Sequence, residues 1–551
     1  VSKQNVQKMV EHARLHVEGG EFSTAETLYR MIMKASDPPT TAIDRVALGE
    51  ACDFMAQRSV KNQRHGEACD WWQRAVHADP LCVDYRLRFI VHALLPMNML
   101  KNAKIEAEIA TRMDPQCPDA WRALGLSCAA LGEEEAAAEA YDMQVSVDPD
   151  NPRARIDRAA LAINVGDYVT AADMAAPLVD GDLAGEALHV MGMIAYRESR
   201  HEEAIALYEK ALASPGNHAA AQIRWNMSLA LHAIGRYAEG WPMSEARGDH
   251  EADESMRLIM NRFQRPKMTR EHLNGPPLVV HVHQEMGHGD ALATVRYLTE
   301  LQACGHTIRL ETLDSLVSLF ARSFPGVEVG PRAMDYPAAT GLKPFDVHIP
   351  TLSLPDLFGT TIESVPWRGA YIKPDPYGVA LYGSKLPYGA RKIGLCWSSG
   401  IREGSWIGRY GRAKSMHLKD LAPLLTLPDN PTFVNLQIGP EREQIDGHYT
   451  IKWVTDILPK KPTWDETAAL LANLDVVVTV DTAIAHLAGA MGKPTYLIMQ
   501  RDGGTWHFMC ERPGAIWNEK SPWYPSIRIF RQKQQGVWCD PVEAVIQALK
   551  E

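Results

Sequence analysis

The sequence predicts an α-helical solenoid over residues 1–250, followed by two α/β lobes with parallel sheets over 270–372 and 391–551, joined by a linker at 373–390. Three observations carry this reading. Small and aromatic residues recur on a 34-residue frame as far as Glu245. From Pro266 the pattern changes to short apolar runs alternating with helical stretches. A Pro- and Gly-rich stretch, Pro366 to Ala390, then divides those runs into two series. The 551 residues exceed what one core serves, and 46% hydrophobic with 23% charged residues is ordinary globular composition, so several folded domains are expected.

The frame is clearest from Pro118 to Asn151. Trp121, Leu124 and Gly125 fall in its first helix, Ala137 and Tyr141 in its second, and Pro149 closes the unit. Small residues are needed where two helices cross, an aromatic fills the gap between pairs, and proline ends a helix for want of an N–H. The unit resembles the tetratricopeptide repeat. Ala103, Ala107, Ala110 and Pro115 repeat it upstream, as do Ala25 and Tyr29. Gly49, Ala68, Trp72, Ala75 and Pro80 do so too, with about seven extra residues near Arg58 to Arg64 between the two helices. Downstream come a weaker unit from Pro152 to Leu178, then Gly192, Ala204, Tyr208 and Ala211, and a last unit from Ala219 to Glu245 containing Trp225, Tyr237, Ala238 and Trp241. One helix pair cannot bury its apolar face alone, so about seven such units are expected to stack into a curved solenoid with a concave groove.

In the first lobe, strands are expected at Pro277 to His283, Thr307 to Glu311 and Phe345 to Ile349, with helices at Asp290 to Cys304 and Leu313 to Phe324. In the second, strands are expected at Ile393 to Trp397, Thr432 to Gln437, Asp475 to Val480, Thr495 to Met499 and Ile527 to Phe530. Helices at Leu418 to Leu427, Trp464 to Asn473, Thr482 to Met491 and Pro541 to Leu549 separate them. Two such lobes facing a cleft bind nucleotides at the carboxyl ends of their strands.

Charge and cysteine usage narrow the partners. A net charge of -11 without clustered cations argues against nucleic acid. Nine scattered cysteines, none in CxxC or zinc-finger spacing, fit a reducing compartment, so the expected location is cytoplasmic. The first twenty residues are polar and helical rather than leader-like, and no apolar run reaches the ~18 residues of a membrane span. No transmembrane segment is therefore expected. The lobes contain no HExxH and no Asp-x-Asp, and no nucleophile elbow or Walker-type lysine loop occurs.

Four motifs can carry chemistry. Gly287-His288-Gly289-Asp290 follows the first strand; its glycines allow a sharp turn close to a ligand, and Asp290 is either a helix cap or a general base, with His288 an alternative base. At Asp481-Thr482-Ala483 a strand end feeds a helix N-terminus, whose unpaired N–H groups and dipole favour a diphosphate; His486 follows one turn later. Asp481 reads as a helix cap or a donor-site residue. Cys396-Trp397-Ser398-Ser399-Gly400 ends another strand in hydroxyls and leads to Arg402, Arg409, Arg412 and Lys414, cations suited to phosphate or to plain solvation. In Gln437-Ile438-Gly439-Pro440-Glu441-Arg442-Glu443, Gln437 and Glu441 are candidates for the ribose and base.

The run Val480-Asp481-Thr482-Ala483-Ile484-Ala485-His486-Leu487-Ala488-Gly489-Ala490-Met491-Gly492-Lys493-Pro494 resembles the donor-site motif of glycosyltransferase family 9, the ADP-heptosyltransferase type. Ser521-Pro522-Trp523-Tyr524-Pro525 with Arg528-Ile529-Phe530-Arg531-Gln532 resembles a bacterial subgroup that joins tetratricopeptide repeats to these lobes, and the layout is similar to O-linked N-acetylglucosamine transferases. The Ser398-Ser399-Gly400 turn departs from that subgroup's small-Gly-Asn turn. The resemblance implies a GT-B fold and an inverting, metal-independent sugar transfer without a cofactor, from a nucleotide-diphosphate sugar to an acceptor hydroxyl. It further implies Asp290 as base, Asp481 as a donor-site residue and Lys414 near the phosphates, while the residues themselves offer Ser398, Ser399, Arg412, Thr482, Ala483 and His486 to the donor diphosphate. The solenoid would recruit a protein or glycan acceptor through its groove, or hold a second copy of the chain. A second reading is an interaction scaffold whose lobes are degenerate and bind a nucleotide or nothing.

Overall fold

The computed structural model describes residues 3–36, 39, 41–215, 219–249, 254–332, 343–400, 411–445, 453–501, 506–508 and 519–551. The chain forms two compact units, residues 1–183 and those from Ala184 onward.

The first unit consists of helix pairs. Lys3–Glu18 pairs with Phe22–Ser36, Ala42–Lys61 with His65–Ala78, Pro118–Leu131 with Glu134–Val147, and Pro152–Val165 with Tyr168–Ala175. Between the second and third of these, Val83–Phe89 runs into a π turn, Ile90–Leu94, before Leu100–Met113. Pro118 and Pro152 sit at the first helical positions, where the missing N–H costs nothing, and Gly132 and Gly166 end their helices at φ 78° and 82°. Glycine at 125 is a packing requirement: a Cβ there would stand 2.5 Å from the Tyr141 ring. The extra residues near Arg58 do not form an insert between helices. They lengthen the first helix of that pair to 20 residues against 14 in its partner.

The second unit opens with two further pairs, Ala184–Arg197 with His201–Ala213 and Ala220–Ala233 with Tyr237–Ser244. Gly192 meets Tyr208 as Gly125 meets Tyr141, again at 2.5 Å for a Cβ. The last pair is bonded into the lobes: Trp241 Nε1 donates to Thr360 O at 2.7 Å, and Trp523 Nε1 donates to the Tyr237 hydroxyl at 3.0 Å.

Ten strands follow among the described residues: β1 Val279–His283, β2 Thr307–Thr312, β3 Glu328–Pro331, β4 Val347–Pro350, β5 Lys392–Cys396, β6 Thr432–Asn435, β7 Val454–Thr455, β8 Val476–Val480, β9 Thr495–Met499 and β10 Ile527–Arg531. They form two parallel sheets, ordered β3-β2-β1-β4 and β10-β9-β8-β5-β6-β7. The central strand β8 is buried end to end and its neighbour β5 at all but its first residue, as a parallel sheet covered on both faces requires.

Several helices differ from the periodicity. The single helix expected at 290–304 is two, His288–Thr294 and Tyr297–Ala303, broken at Arg296. The helix expected at 418–427 is a 3-10 stretch, Leu418–Thr426, because Pro423 lies inside it. The stretch expected as a linker contains the helix Pro376–Ser384, whose Tyr382 is buried in the lobe core. No helix among the described residues is long and apolar enough to cross a membrane.

Candidate functional site

Strands β5 and β8 are neighbours in register, Cys396 opposite Thr479, so the turns after them open side by side at the carboxyl edge of the sheet. After β8, Thr482 caps the helix Ala483–Ala490: its backbone is extended and its hydroxyl accepts the Ile484 N–H at 3.2 Å. The cap is thus Thr482 and not Asp481. Asp481 is buried one residue earlier, with Oδ2 3.7 Å from Lys414 Nζ. Thr482 and Ala483 are half-buried residues whose amides make no hydrogen bond to a described residue, leaving two N–H groups at a helix start.

The turn after β5 is braced from two sides. Gln437 Oε1 accepts the amides of Trp397 and Ser398 at 3.1 and 2.9 Å, while its Nε2 donates to Ile438 O at 2.9 Å. Gln437 was expected at the ribose or base; its buried side chain is spent within the lobe on holding this turn. Ser415 Oγ accepts the Ser399 amide at 2.9 Å, lies 3.0 Å from Ser398 Oγ and donates to Gly411 O at 2.6 Å. Ser398 and Ser399 therefore stand in a hydroxyl-lined turn whose shape is fixed by Gln437 and Ser415. Lys414 is half-buried, with its Nζ toward Asp481, Arg412 is exposed, and Glu441 stands half-exposed after the left-handed Gly439. Arg402 and Arg409 lie outside the described residues.

The facing loop comes from β1. Gln284 donates to the carbonyls of Met286 and Gly287 at 3.0 and 3.1 Å and accepts the Leu313 amide at 3.0 Å, tying the loop to the end of β2. Gly287, not Asp290, is the cap of the helix His288–Thr294; Asp290 reaches back from the third helical position, its Oδ2 accepting the Gly287 N–H at 3.2 Å. Its Oδ1 makes no hydrogen bond to another described residue. Burial of this carboxyl, with the Glu285 charge beside it, pushes Asp290 up to about 6 against the lowering pull of the Gly287 N–H and Lys414. His288 is turned aside: Nε2 is 2.9 Å from Ser315 Oγ and the ring stacks on Trp464 of the second lobe, centroids 5.0 Å apart. Burial lowers its proton affinity.

The two turns meet. A Cβ on Gly289 would stand 2.9 Å from Cδ2 of His486, so only glycine lets the first-lobe loop rest on the helix Ala483–Ala490. His486 is buried there with Nδ1 2.9 Å from the Tyr524 hydroxyl. Burial holds it neutral, down at about 4, with Lys414 and Arg296 adding to the effect and Asp481 opposing it. Its place is at the joint between the two turns. Arg296, which sequence reasoning passed over, completes the joint: it donates to Trp523 O at 2.7 Å and to the Tyr371 hydroxyl at 2.9 Å, with its guanidinium over the rings of Tyr524 and Trp523. A lone cation inside the apolar run from Ala291 to Leu298 was the available signal.

Residues 441–498 match the model of glycosyltransferase family 9 (heptosyltransferase), and residues 103–152 and 189–240 match that of the tetratricopeptide repeat. The chain carries tetratricopeptide repeats and a glycosyltransferase family 9 region. The family 9 match spans β7, β8 and the helix Ala483–Ala490, the elements that build the turn at Asp481 to Ala483. With its two parallel-sheet lobes, this part of the chain has the GT-B fold. Protein FlbA of Caulobacter vibrioides is 26% identical over 480 residues, covering 83% of this chain and 71% of that protein. Among solved structures, the E. coli ADP-heptose LPS heptosyltransferase II aligns over 49% of this chain and 97% of its own, at 15% identity and a TM-score of 0.35. A thermophilic TPR protein of Thermus thermophilus aligns over 33% of this chain and 98% of its own, at 15% identity and a TM-score of 0.30.

Proposed function

We propose that the family 9 region transfers a sugar from a nucleotide-diphosphate donor to an acceptor hydroxyl with inversion. The observation that carries this is the apposition of two turns: Asp290, a carboxylate bonded to the Gly287 N–H through one oxygen and with a raised proton affinity, on one side, and the helix start at Thr482 and Ala483 on the other, joined where Gly289 rests on His486. Asp290 takes the proton of the acceptor hydroxyl as its oxygen bonds to the anomeric carbon. The bond from that carbon to the diphosphate breaks, and the leaving group keeps the electron pair. Its growing charge is met by the Thr482 and Ala483 amides, the helix dipole, Lys414 and Arg412, without recourse to a divalent ion or a cofactor. Ser398 and Ser399 line the neighbouring turn after β5, and Glu441 accepts ribose hydroxyls. The helical repeats, as extended surface, recruit a protein or glycan acceptor or another copy of the chain.

The substitution Ala483→Pro tests the donor site with little cost to the fold. Position 483 is the first of its helix, where proline fits, and Thr482 before it has φ -140° and ψ 171°, the extended backbone that proline demands of its predecessor. Only the N–H is removed. By calorimetry with ADP, UDP and GDP in turn, the parent should bind at least one, and the variant should bind it ~10- to 100-fold more weakly, as expected for one hydrogen bond to a charged group. Equal affinity in parent and variant, or no binding of any diphosphate by the parent, sinks the assignment.

A further inference from the structure

The last turn of the helical repeats carries a buried cation that faces the loop of the proposed base. Arg247 lies in the 3-10 turn Glu245–Gly248, directly after the helix Tyr237–Ser244, and is 3% exposed. Its Nη2 donates to Glu285 Oε1 at 2.9 Å and to Ser353 Oγ at 2.9 Å, and its Nη1 donates to Ser244 O at 2.9 Å and to Glu245 Oε1 at 3.2 Å. Glu285, 4% exposed, stands between the end of β1 and Gly287. Its other contacts come from the turn after β4: Oε2 accepts the amide and the hydroxyl of Thr351, both at 2.9 Å, and Oε1 accepts the Leu352 amide at 3.0 Å. One carboxylate thus receives four donors from two directions and pins the loop that holds Asp290.

A buried ion pair is a poor way to gain stability, since desolvation consumes most of the attraction and a well-packed apolar pair does as well. What an apolar pair cannot do is fix a loop by direction and set the charge next to a working carboxylate. We infer that Arg247 and Glu285 are positioning residues for the Asp290 loop, by which the last helical repeat sets the geometry and the electrostatic surroundings of the proposed base. This rests on the reading of Asp290 as that base. The charged and titratable groups facing Asp290 are Glu285 on its own loop and, from the second lobe, Lys414 and the neutral His486 that bears on Gly289. Glu285 carries the charge that opposes ionisation of Asp290, and Arg247 offsets it.

The two partners therefore act on the base with opposite sign, and that separates positioning from plain structural support. Glu285→Gln keeps the shape but removes the negative charge, so Asp290 ionises more readily and the acidic limb of the pH–rate profile should move to lower pH. Arg247→Met removes the cation that offsets the Glu285 charge while Thr351 and Leu352 still donate to that carboxylate, so the limb should move to higher pH. Each displacement should be about half a unit or more, with kcat down ~10-fold from the loosened loop and the donor KM unchanged, because the donor contacts lie on the other lobe. Arg247→Lys, which keeps the charge, should restore the limb and safeguards the test if Arg247→Met folds poorly. The full chain is assayed by release of nucleoside diphosphate from ADP-, UDP- and GDP-sugars, using the donor that the parent turns over. Limbs that stay in place, or that move the same way in Glu285→Gln and Arg247→Met, overturn the inference. An acidic limb that survives in Asp290→Asn, or a parent that turns over none of these donors, instead marks failure of the base reading and brings the inference down with it. If Asp290→Asn abolishes the limb while the other variants leave it unmoved, the inference alone is wrong.

Discussion

Asp290→Asn should make the protein more stable and nearly inactive, and the structure sets the size of both effects. The folded carboxyl is raised from 3.8 to about 6. A group raised on folding contributes stability fully below its unfolded value and loses that contribution as pH rises through the folded value. For Asp290 the window runs from about pH 4 to pH 7, and the ionised carboxylate at pH 8 costs up to about 3 kcal/mol relative to the protonated form. Asparagine escapes this cost and can still accept the Gly287 N–H, so the cap-like contact at 3.2 Å survives. The neutral contact is weaker by ~1 kcal/mol, leaving a net gain of about 1–2 kcal/mol at pH 8 and little gain at pH 4.5. Turnover should fall ~100- to 10,000-fold, as for loss of a general base. Urea unfolding followed by tryptophan emission suits the measurement, because all but Trp71, Trp72 and Trp121 of the 14 tryptophans lie beyond residue 184. Parent and variant with the same stability at both pH values would refute the electrostatic reasoning; parent-like turnover in the variant would refute the role.

Other perturbations test the surrounding architecture. Gly289→Ala should cost ~1–3 kcal/mol, because its Cβ would lie 2.9 and 3.3 Å from His486 Cδ2 and Nε2; a denaturation midpoint equal to the parent's would show that the two turns do not touch as described. His232 is buried with neither ring nitrogen hydrogen-bonded to a described residue, and burial depresses it to about 3. Such a group supports the fold above pH 6.5 and withdraws that support as pH falls toward 3, so His232→Phe should lose about 2 kcal/mol less than the parent between pH 7 and pH 5, and equal losses in urea titrations would dismiss the assignment. A chain of residues 184–551 should unfold cooperatively, whereas one beginning at 251 should not fold, since it lacks Tyr237, Trp241 and Arg247; calorimetric melts of the two decide it.

The buried central strands were legible as largely apolar runs because both faces of β1, β5, β8 and β9 are covered. Strand β3 was not, being a short edge strand with Gly330 and Pro331 in it, and β7 has only two residues. The repeat glycines were legible through their fixed offset from the partner aromatic. At the site, the turn at Asp481 to Ala483 and the loop ending in Asp290 could be found because each is local in sequence. The residues that hold them could not. Gln437 reaches Trp397 and Ser398 some forty residues back, Arg247 meets Glu285 from a different class of structure, and Ser415 serves a turn in another segment. Such partners are set by strand order, which one sequence does not spell out. Gln437 shows the converse: a polar residue next to a candidate site was read as facing a ligand, whereas sheet order aims it at its neighbour's backbone.

The lengthened helix Ala42–Lys61 shows how a repeat array can absorb extra chain. Successive helical residues are turned by ~100°, so about seven inserted residues make two turns short of ~20° and leave the faces before and after them in phase. Trp72 of the partner helix therefore still packs against the long helix, its Nε1 donating to Asp53 Oδ1 at 2.7 Å, although that helix is six residues longer than the 14-residue helix it pairs with. The same arithmetic forbids other lengths. Two residues removed between Met55 and Lys61 would swing the following helix by ~200° and carry Ala68 and Trp72 from the interior to the surface. Seven removed would shorten the helix by ~10 Å and keep every anchor on its side.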